Sequence, residues 1–239
     1  MEKSNERNMT ILGIFIFLGL AVLGYLLASA AIDYKEYERT VNVKGLSEKE
    51  YIADIVIWPI EFVSADNDMA NLYTSLEANA EKIRFFLLKN GLEDKEISIA
   101  APKVVDKLAR EYGDGNYGRY RYTAKQGLTV YSDKIETVRS LMKKIGELGK
   151  QGIVFNADDY GNQPEYIFTR LNEVKPAMIA EATTKAREVA LKFAIDSEST
   201  LGKIKKASQG QFSISARDNN NPHIKKVRVV STITYYLSD

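Results

Sequence analysis

The chain has 239 residues, with 33 Lys and Arg against 32 Asp and Glu, a formal charge of +1. That near balance argues against a dedicated nucleic-acid binder, which carries a strong basic excess. Cysteine is absent and His223 is the single histidine, which excludes disulfides, thiolate zinc sites, iron–sulfur clusters and a cysteine nucleophile, and leaves too few imidazoles for a multi-histidine metal site in one subunit.

Between Met9 and Ile32 no residue is charged, a run of 24. As a helix it would be ~36 Å long, enough to cross a ~30 Å hydrocarbon core with tilt. The run is longer than the about 7–15 apolar residues of a signal-peptide core. That favours an uncleaved anchor over a signal cut near Ala28-Ser29-Ala30. Lys3 and Arg7 on one side face Lys35, Arg39 and Lys44 on the other, so positive-inside counting does not fix the orientation. A short tail ahead of a long folded part suits a single-pass signal-anchor with the domain translocated, which places residues 33–239 outside the cytoplasm. The expected organisation is a tail at 1–8, an anchor or signal segment at 9–32, a charged stalk at 33–40 and an α+β domain at 41–239.

Within that domain, Val41 and Val43 alternate with polar neighbours up to Gly45 and predict a strand. Tyr51 to Phe62 predicts a second. Its Ile55, Ile57 and Pro59 lie on one face and Val56, Trp58, Ile60 and Phe62 on the other, as for a strand covered on both sides. Pro59 cannot donate to a ladder, so a bulge or an edge is expected there. Asp68 is placed to cap a helix carrying Leu72, Leu76, Ala80, Ile83 and Leu87 at helical spacing, with Asn90-Gly91 as its stop. Ile97, Ile99 and Ala101 then alternate as a strand. Residues 110–120 form a Gly- and Tyr-rich loop, and Tyr122, Ala124, Leu128, Val130 and Tyr131 mark a returning strand.

A second helix is expected on Ile135, Val138, Met142, Ile145 and Leu148, closed by Gly149 and Gly152. Ile153–Phe155 and Tyr166–Arg170 read as short strands around a polar loop. A third helix, from Glu173 to Ile195, places Val174, Met178, Ala182, Ala186, Val189 and Phe193 on one face. Strands near 202–215 and 224–237 close the chain. In the last of them Val227, Val229, Ser231, Ile233, Tyr235 and Leu237 share a face. Three amphipathic helices over paired strands predict an α+β fold with mainly antiparallel sheets, preceded by one transmembrane helix.

Chemistry-bearing clusters are few. Asp158, Asp159 and Glu165 could offer oxygen ligands or a carboxylate pair, but they match no established calcium-loop spacing and read as a solvated loop. Lys225, Lys226 and Arg228 could meet anionic headgroups, yet a strand edge protected by charge is the simpler account. His223 reads as an exposed turn residue. Catalytic, cofactor-binding and metal sites are therefore expected to be absent. The candidate contact residues for a ligand or subunit are Tyr117, Arg119, Tyr120 and Arg121, where aromatic and guanidinium groups interleave.

Four stretches then carry a resemblance. They are Thr40-Val41-Asn42-Val43-Lys44-Gly45; Leu87-Leu88-Lys89-Asn90-Gly91-Leu92 with Asp94 and Ile97; Tyr122-Thr123-Ala124-Lys125-Gln126 leading to Leu128 and Val130; and Lys185-Ala186 and Ala190 followed by Leu201-Gly202-Lys203-Ile204. In this order the chain resembles the SIMPL-domain family of bacterial periplasmic immunogenic and oxidative-stress-defence-like envelope proteins. The resemblance spans about residues 40–215. The chain departs from the family at Asp196-Ser197-Glu198-Ser199-Thr200, where a tighter glycine turn is usual, and at Trp58-Pro59. The resemblance implies an envelope location, an α+β fold, ring-like or channel-like assemblies in some members and no established catalytic residue. The expectation is a non-enzymatic, homo-oligomeric scaffold or interaction module held to the membrane by its N-terminal helix. It has no cofactor, no nucleic-acid partner and an unidentified ligand. The alternative is an envelope ligand-binding module, for a polymer or small molecule, that uses loop 110–122.

Overall fold

A computed structural model describes residues 2–36, 39–109, 119–156 and 163–238. Helix α1 runs Glu2–Glu36, and its stretch Leu12–Ala31 is long and apolar enough to cross a membrane, with none of it buried. The helix continues to Glu36, so the first residues of the expected stalk are helical.

The chain divides into two compact units. One comprises Met1–Glu48, Lys175–Phe212 and Arg228–Asp239; the other comprises Lys49–Val174 and Ser213–Val227. The fold is α+β with antiparallel sheets, as expected.

The second unit holds the larger core. Strand β2 (Ile55–Asp66) pairs along its length with β5 (Tyr122–Ser132) in an unshifted antiparallel register. Strands β3 (Ile97–Ile99) and β4 (Lys103–Asp106) continue from β5. On the other side of β2 lie β6 (Val154–Phe155) and β7 (Glu165–Ile167). Pro59 causes no bulge. Its register with Thr129 is regular, and it falls between the residues that β7 and β6 cover, so among the described residues the missing N–H interrupts no ladder on that side. Val56, Trp58, Ile60 and Phe62 are buried as a set, while Ile55, Ile57 and Pro59 are half-buried.

Helix α2 (Met69–Lys89) covers this sheet with Leu72, Leu76, Ala80, Ile83 and Leu87, the five residues its spacing predicts. The Asp68 carboxylate accepts the Asn71 N–H at 3.0 Å, which satisfies one orphan donor of the first turn. The expected second helix divides into α3 (Ile135–Lys144) and α4 (Gly146–Gly149). Leu141 takes the buried position predicted for Met142, which is only partly buried beside Ile145.

In the first unit β1 (Thr40–Ile52), β10 (Ile224–Ser238) and β8 (Thr200–Gln209) lie side by side in that order; β1 and β10 each continue into the second unit, where β9 (Ser213–Ala216) pairs β10. Helix α5 (Leu171–Asp196) supplies the buried cluster of Ala186 and Ala190 with Val43, Ile233 and Tyr235. The expected apolar face of α5 holds only for its first half. Met178, Ala182 and Ala186 are buried, but the stripe continues through Ala190 and Ala194, leaving Val189 and Phe193 exposed. The reason is proximity. Gly45 on β1 admits α5 so closely that only alanines fit beneath it.

Candidate interaction surface

Of the four contact residues named from sequence, Tyr117 lies outside the described residues, and the other three follow one another into β5. Arg121 is already engaged. Its guanidinium meets the Asp106 carboxylate through Nη2 at 2.8 Å and Nε at 3.2 Å, and lies 4.7 Å from the Tyr122 ring centre. Its N–H donates to the Asn67 side chain, and its carbonyl accepts from Lys107 N–H. The hydrogen bond from Arg121 holds the Asp106 carboxyl below the usual carboxylate range. Arg121 therefore fastens the end of the β4–β5 pair rather than presenting a charge. Strand β4, which supplies Asp106, is only four residues long and carries no alternation strong enough to be legible.

What remains outward-facing is Tyr120, 40% exposed, with the Arg119 guanidinium 5.9 Å from its ring centre. An aromatic face beside a cation can accept a sugar ring, a planar ligand or another protein surface.

The polar clusters elsewhere in the second unit are closed. Ser132 is buried; its hydroxyl donates to Glu96 at 2.6 Å and accepts the Lys134 N–H at 3.0 Å. Lys134 Nζ reaches both Glu96 and Glu93 at 3.0 Å, and the Glu93 N–H donates back to Glu96 at 2.7 Å. Burial alone would raise the Glu96 pKa; the donors from Ser132, Glu93 and Lys134 outweigh it and lower it. Glu93, exposed at the surface, is pushed down to about 2 by Lys95 and Lys134. These bonds tie the Glu93–Glu96 turn to the β5–α3 junction. The E-x-x-E spacing of Glu93 and Glu96 is the signal that would have found it.

Asp54, in the β1–β2 turn, accepts both the N–H and the hydroxyl of Thr169, and Arg170 lies 3.6 Å away. Burial raises the Asp54 pKa, but these donors and Arg170 bring it below normal. Tyr51 and Phe168 stack at 5.3 Å beside this turn. These contacts join residues 115 or so apart in sequence, and no local pattern announces them.

Two sequence readings need correction. His223 is not an exposed turn residue: it is 7% exposed, its carbonyl accepts the Ala53 N–H, and its Nδ1 has no hydrogen-bond partner among the described residues. Burial pushes its pKa down, assisted by Arg139. The basic cluster does not guard an edge, because β10 is an inner strand, paired with β9 at this end, where the Arg217 N–H bonds Ile224 O, and with β8 further on. Arg228 faces Glu48 at 3.8 Å, and Lys225 is half-buried, with its pKa lowered by burial against the pull of Glu165. Asp158 and Asp159 lie outside the described residues. Among the described residues no group of three His, Cys, Asp or Glu side chains is placed to hold a metal.

Comparison with protein families matches residues 41–233 to SIMPL, a protein of unknown function (DUF541). No curated protein matches the chain.

Proposed function

Because the chain belongs to the SIMPL family, we infer that it is an envelope scaffold: anchored through α1 in the bacterial inner membrane, extracytoplasmic beyond it, and working as a non-enzymatic homo-oligomer. The observation that carries this reading is strand β8. It ends the order β1–β10–β8 and nine of its ten residues are exposed, so among the described residues no strand covers its outer row of N–H and C=O groups, which is open to a further strand. Lys203, Lys205 and Lys206 oppose pairing of two β8 edges with each other, because like charges would face across the seam. Pairing of β8 with a different edge of the next copy is the favoured arrangement, and head-to-tail contacts of that kind close into rings when the rotation allows. A part in oxidative-stress defence rests on family resemblance alone and names no chemistry. The closed Ser132–Glu96–Lys134 group supports the non-enzymatic reading, since its hydroxyl has no free path to a substrate.

Light scattering of the full chain in detergent tests this. One discrete species of several copies is expected, and a strict monomer at high concentration overturns the reading.

A second reading is a ligand-binding module, favoured by the exposed Tyr120 beside Arg119. Substituting Tyr117, Arg119 and Tyr120 by Ala should then abolish binding of an envelope saccharide while the far-ultraviolet circular dichroism is kept. Retained binding counts against it.

A further inference from the structure

Strand β8 does not alternate. Ile233 pairs with Ala207, Tyr235 with Ile204 and Leu237 with Leu201, so β8 twice uses three residues where β10 uses two. The extra residues are β-bulges. Ile233 and Tyr235 are buried with Ala186 and Ala190 of α5, so Leu201, Ile204 and Ala207 share that side at a spacing of three. The residues between them, Gly202-Lys203 and Lys205-Lys206, turn to the opposite face. Two contacts fix the direction. A Cβ on Gly202 would lie 3.1 Å from Tyr236 Cβ, and Lys205 Nζ lies 5.2 Å from the Tyr236 ring centre. Strict alternation would place Lys206 on the other side from Lys203 and Lys205.

Strand β1 sets the rest of that face. Arg39 O accepts the Leu237 N–H at 2.9 Å, and Glu48 lies 3.8 Å from Arg228, so β1 and β10 keep one register from end to end. Lys44, flanked by buried Val43 and Gly45, therefore stands beside Thr232, and Asn42 beside Thr234. Ser208 and Lys206 stand on the other side of the same two threonines. With neighbouring strands about 4.8 Å apart, Lys44 and Lys206 rise from backbones about 10 Å apart. The half-buried Thr232 and Thr234 form the floor between them. The result is a shallow trough along β10, walled by long cations, floored by hydroxyls and bounded at one end by Tyr236.

The charge of the trough is not balanced on the spot. Among the described residues Lys44, Lys203, Lys205 and Lys206 meet no carboxylate, whereas Arg84, Arg121, Lys134 and Arg139 of the second unit each do. The one acid on this face among the described residues, Glu48, is about 13 Å along the strand from Lys44, and it faces Arg228. Asp196 and Glu198 belong to the end of α5 and the turn after it, ahead of β8. The sequence carries the same asymmetry. Residues 199–239 hold seven Lys and Arg against Asp218 and Asp239, although the whole chain is near neutral.

We propose that this trough binds a linear polyanion bearing phosphate groups, laid along β10 with its charges on Lys44, Lys203, Lys205 and Lys206. An open sheet face suits an extended chain better than a small molecule, whose sites are concave. All four cations are lysines, compact point charges that bind phosphate without demanding one geometry, which suits a chain of repeating charges. The threonine hydroxyls of the floor can donate to phosphate oxygens. A lipid surface is the poorer match, because no large aliphatic side chain stands between Lys44 and Lys206 to enter a bilayer. The proposal needs neither the anchor nor the oligomer of the preceding reading.

Binding of end-labelled, long-chain inorganic polyphosphate to the full chain in neutral detergent tests this, read by fluorescence anisotropy. Lys203→Gln, Lys205→Gln and Lys206→Gln together should weaken binding about tenfold or more and flatten its salt dependence. Lys44→Gln, on a strand remote in sequence, should weaken it several-fold. Lys192→Gln on α5, and Lys143→Gln with Lys144→Gln and Lys150→Gln in the second unit, should leave it unchanged. Every one of these lysines is exposed, so the fold is kept, and circular dichroism checks it. No binding by the unsubstituted chain overturns the proposal, as does an equal loss from every variant that removes the same charge. A full effect of the β8 triple with none from Lys44→Gln reduces the site to the charge of an edge strand and overturns the trough. Displacement of the polymer by phosphatidylglycerol added to the micelles at equal phosphate gives the face to lipid headgroups. Binding that disappears as the protein associates at higher concentration gives it to a second copy. Either result also overturns the proposal.

Discussion

Gly45 shows how a single missing atom sets the packing of the first unit. A Cβ there would lie 1.8 Å from Ala182 O and 2.6 Å from Ala186 N, both backbone atoms of α5. No side chain can swing aside, so α5 itself would have to move, and with it the contact of Ala186 and Ala190 on Ile233 and Tyr235. Gly45→Ala should cost about 3 kcal/mol or more, at the upper end of overpacking penalties. For a domain of this size that lowers Tm by about 6–12 °C, measured by circular dichroism of the full chain in detergent. A change below about 2 °C would mean that β1 and α5 are not in this contact. In the sequence, Gly45 reads only as the end of an alternating run. The alanine stripe that answers it is legible as small residues at helical spacing, but not as the reason that Val189 and Phe193 stay outside.

Three helices end in the same way, and one does so against local preference. After α2, Gly91 takes φ 101° while Leu92 N–H bonds Leu87 O and Gly91 N–H bonds Leu88 O. After α4, Gly152 takes φ 90° with the equivalent bonds from Ile153 to Leu148 and from Gly152 to Gly149. In both, the following apolar residue, Leu92 or Ile153, is buried, which completes a Schellman cap. After α5 the bonds recur from Ser199 to Ala194 and from Glu198 to Ile195, but the left-handed position, φ 53°, is held by Glu198. A glutamate there is strained by about 1 kcal/mol, offset only in part when the more flexible glycine replaces it. Glu198→Gly should therefore raise stability by about 0.5 kcal/mol, and Glu198→Val should lower it by about 1 kcal/mol or more. Thermal unfolding of the two variants checks both signs, and a rise for valine would exclude the cap. Asn90-Gly91 and Gly152 are legible as stops because glycine announces the geometry. The α5 stop is not legible, because its conformation is imposed by the bonds of Ser199 and Arg39 rather than by the residue that adopts it.

At the scale of the whole chain, the charge balance that excludes much chemistry also simplifies its response to pH. Only one side chain, His223, has an ordinary pKa near neutrality, and its environment was not legible, since by sequence it reads as an exposed turn residue. The turn is present, and the Asp218 carboxylate accepts from the Asn220 and Asn221 N–H groups. His223, just beyond it, is carried inward by its bond to Ala53, with its ring 6.0 Å from Tyr166. Glu136 and Arg139 of α3 and Arg217 and Asp218 of the turn are the charges around it. Its folded pKa lies below its ordinary 6.5. The unfolded chain therefore takes up the proton first as pH falls. The stability that depends on a neutral His223 is complete above about 6.5 and is lost from there down to the lower folded value. Carboxylates act in a separate window. Glu93 and Asp218, both held down to about 2 by their cationic partners, contribute stability that is lost only as pH falls below their ordinary 4.5 and 3.8. Two successive losses of stability are expected on acidification, the upper one belonging to His223 alone. Trp58, the only tryptophan, is buried in the same unit and reports on it by fluorescence. His223→Phe, which keeps a ring against Tyr166 without a proton to bind, should abolish the loss that begins as pH falls below about 6.5 and leave the lower one in place. An unchanged upper step in that variant would mean that the ring is charged at no cost, and hence that His223 is not buried as the structure has it.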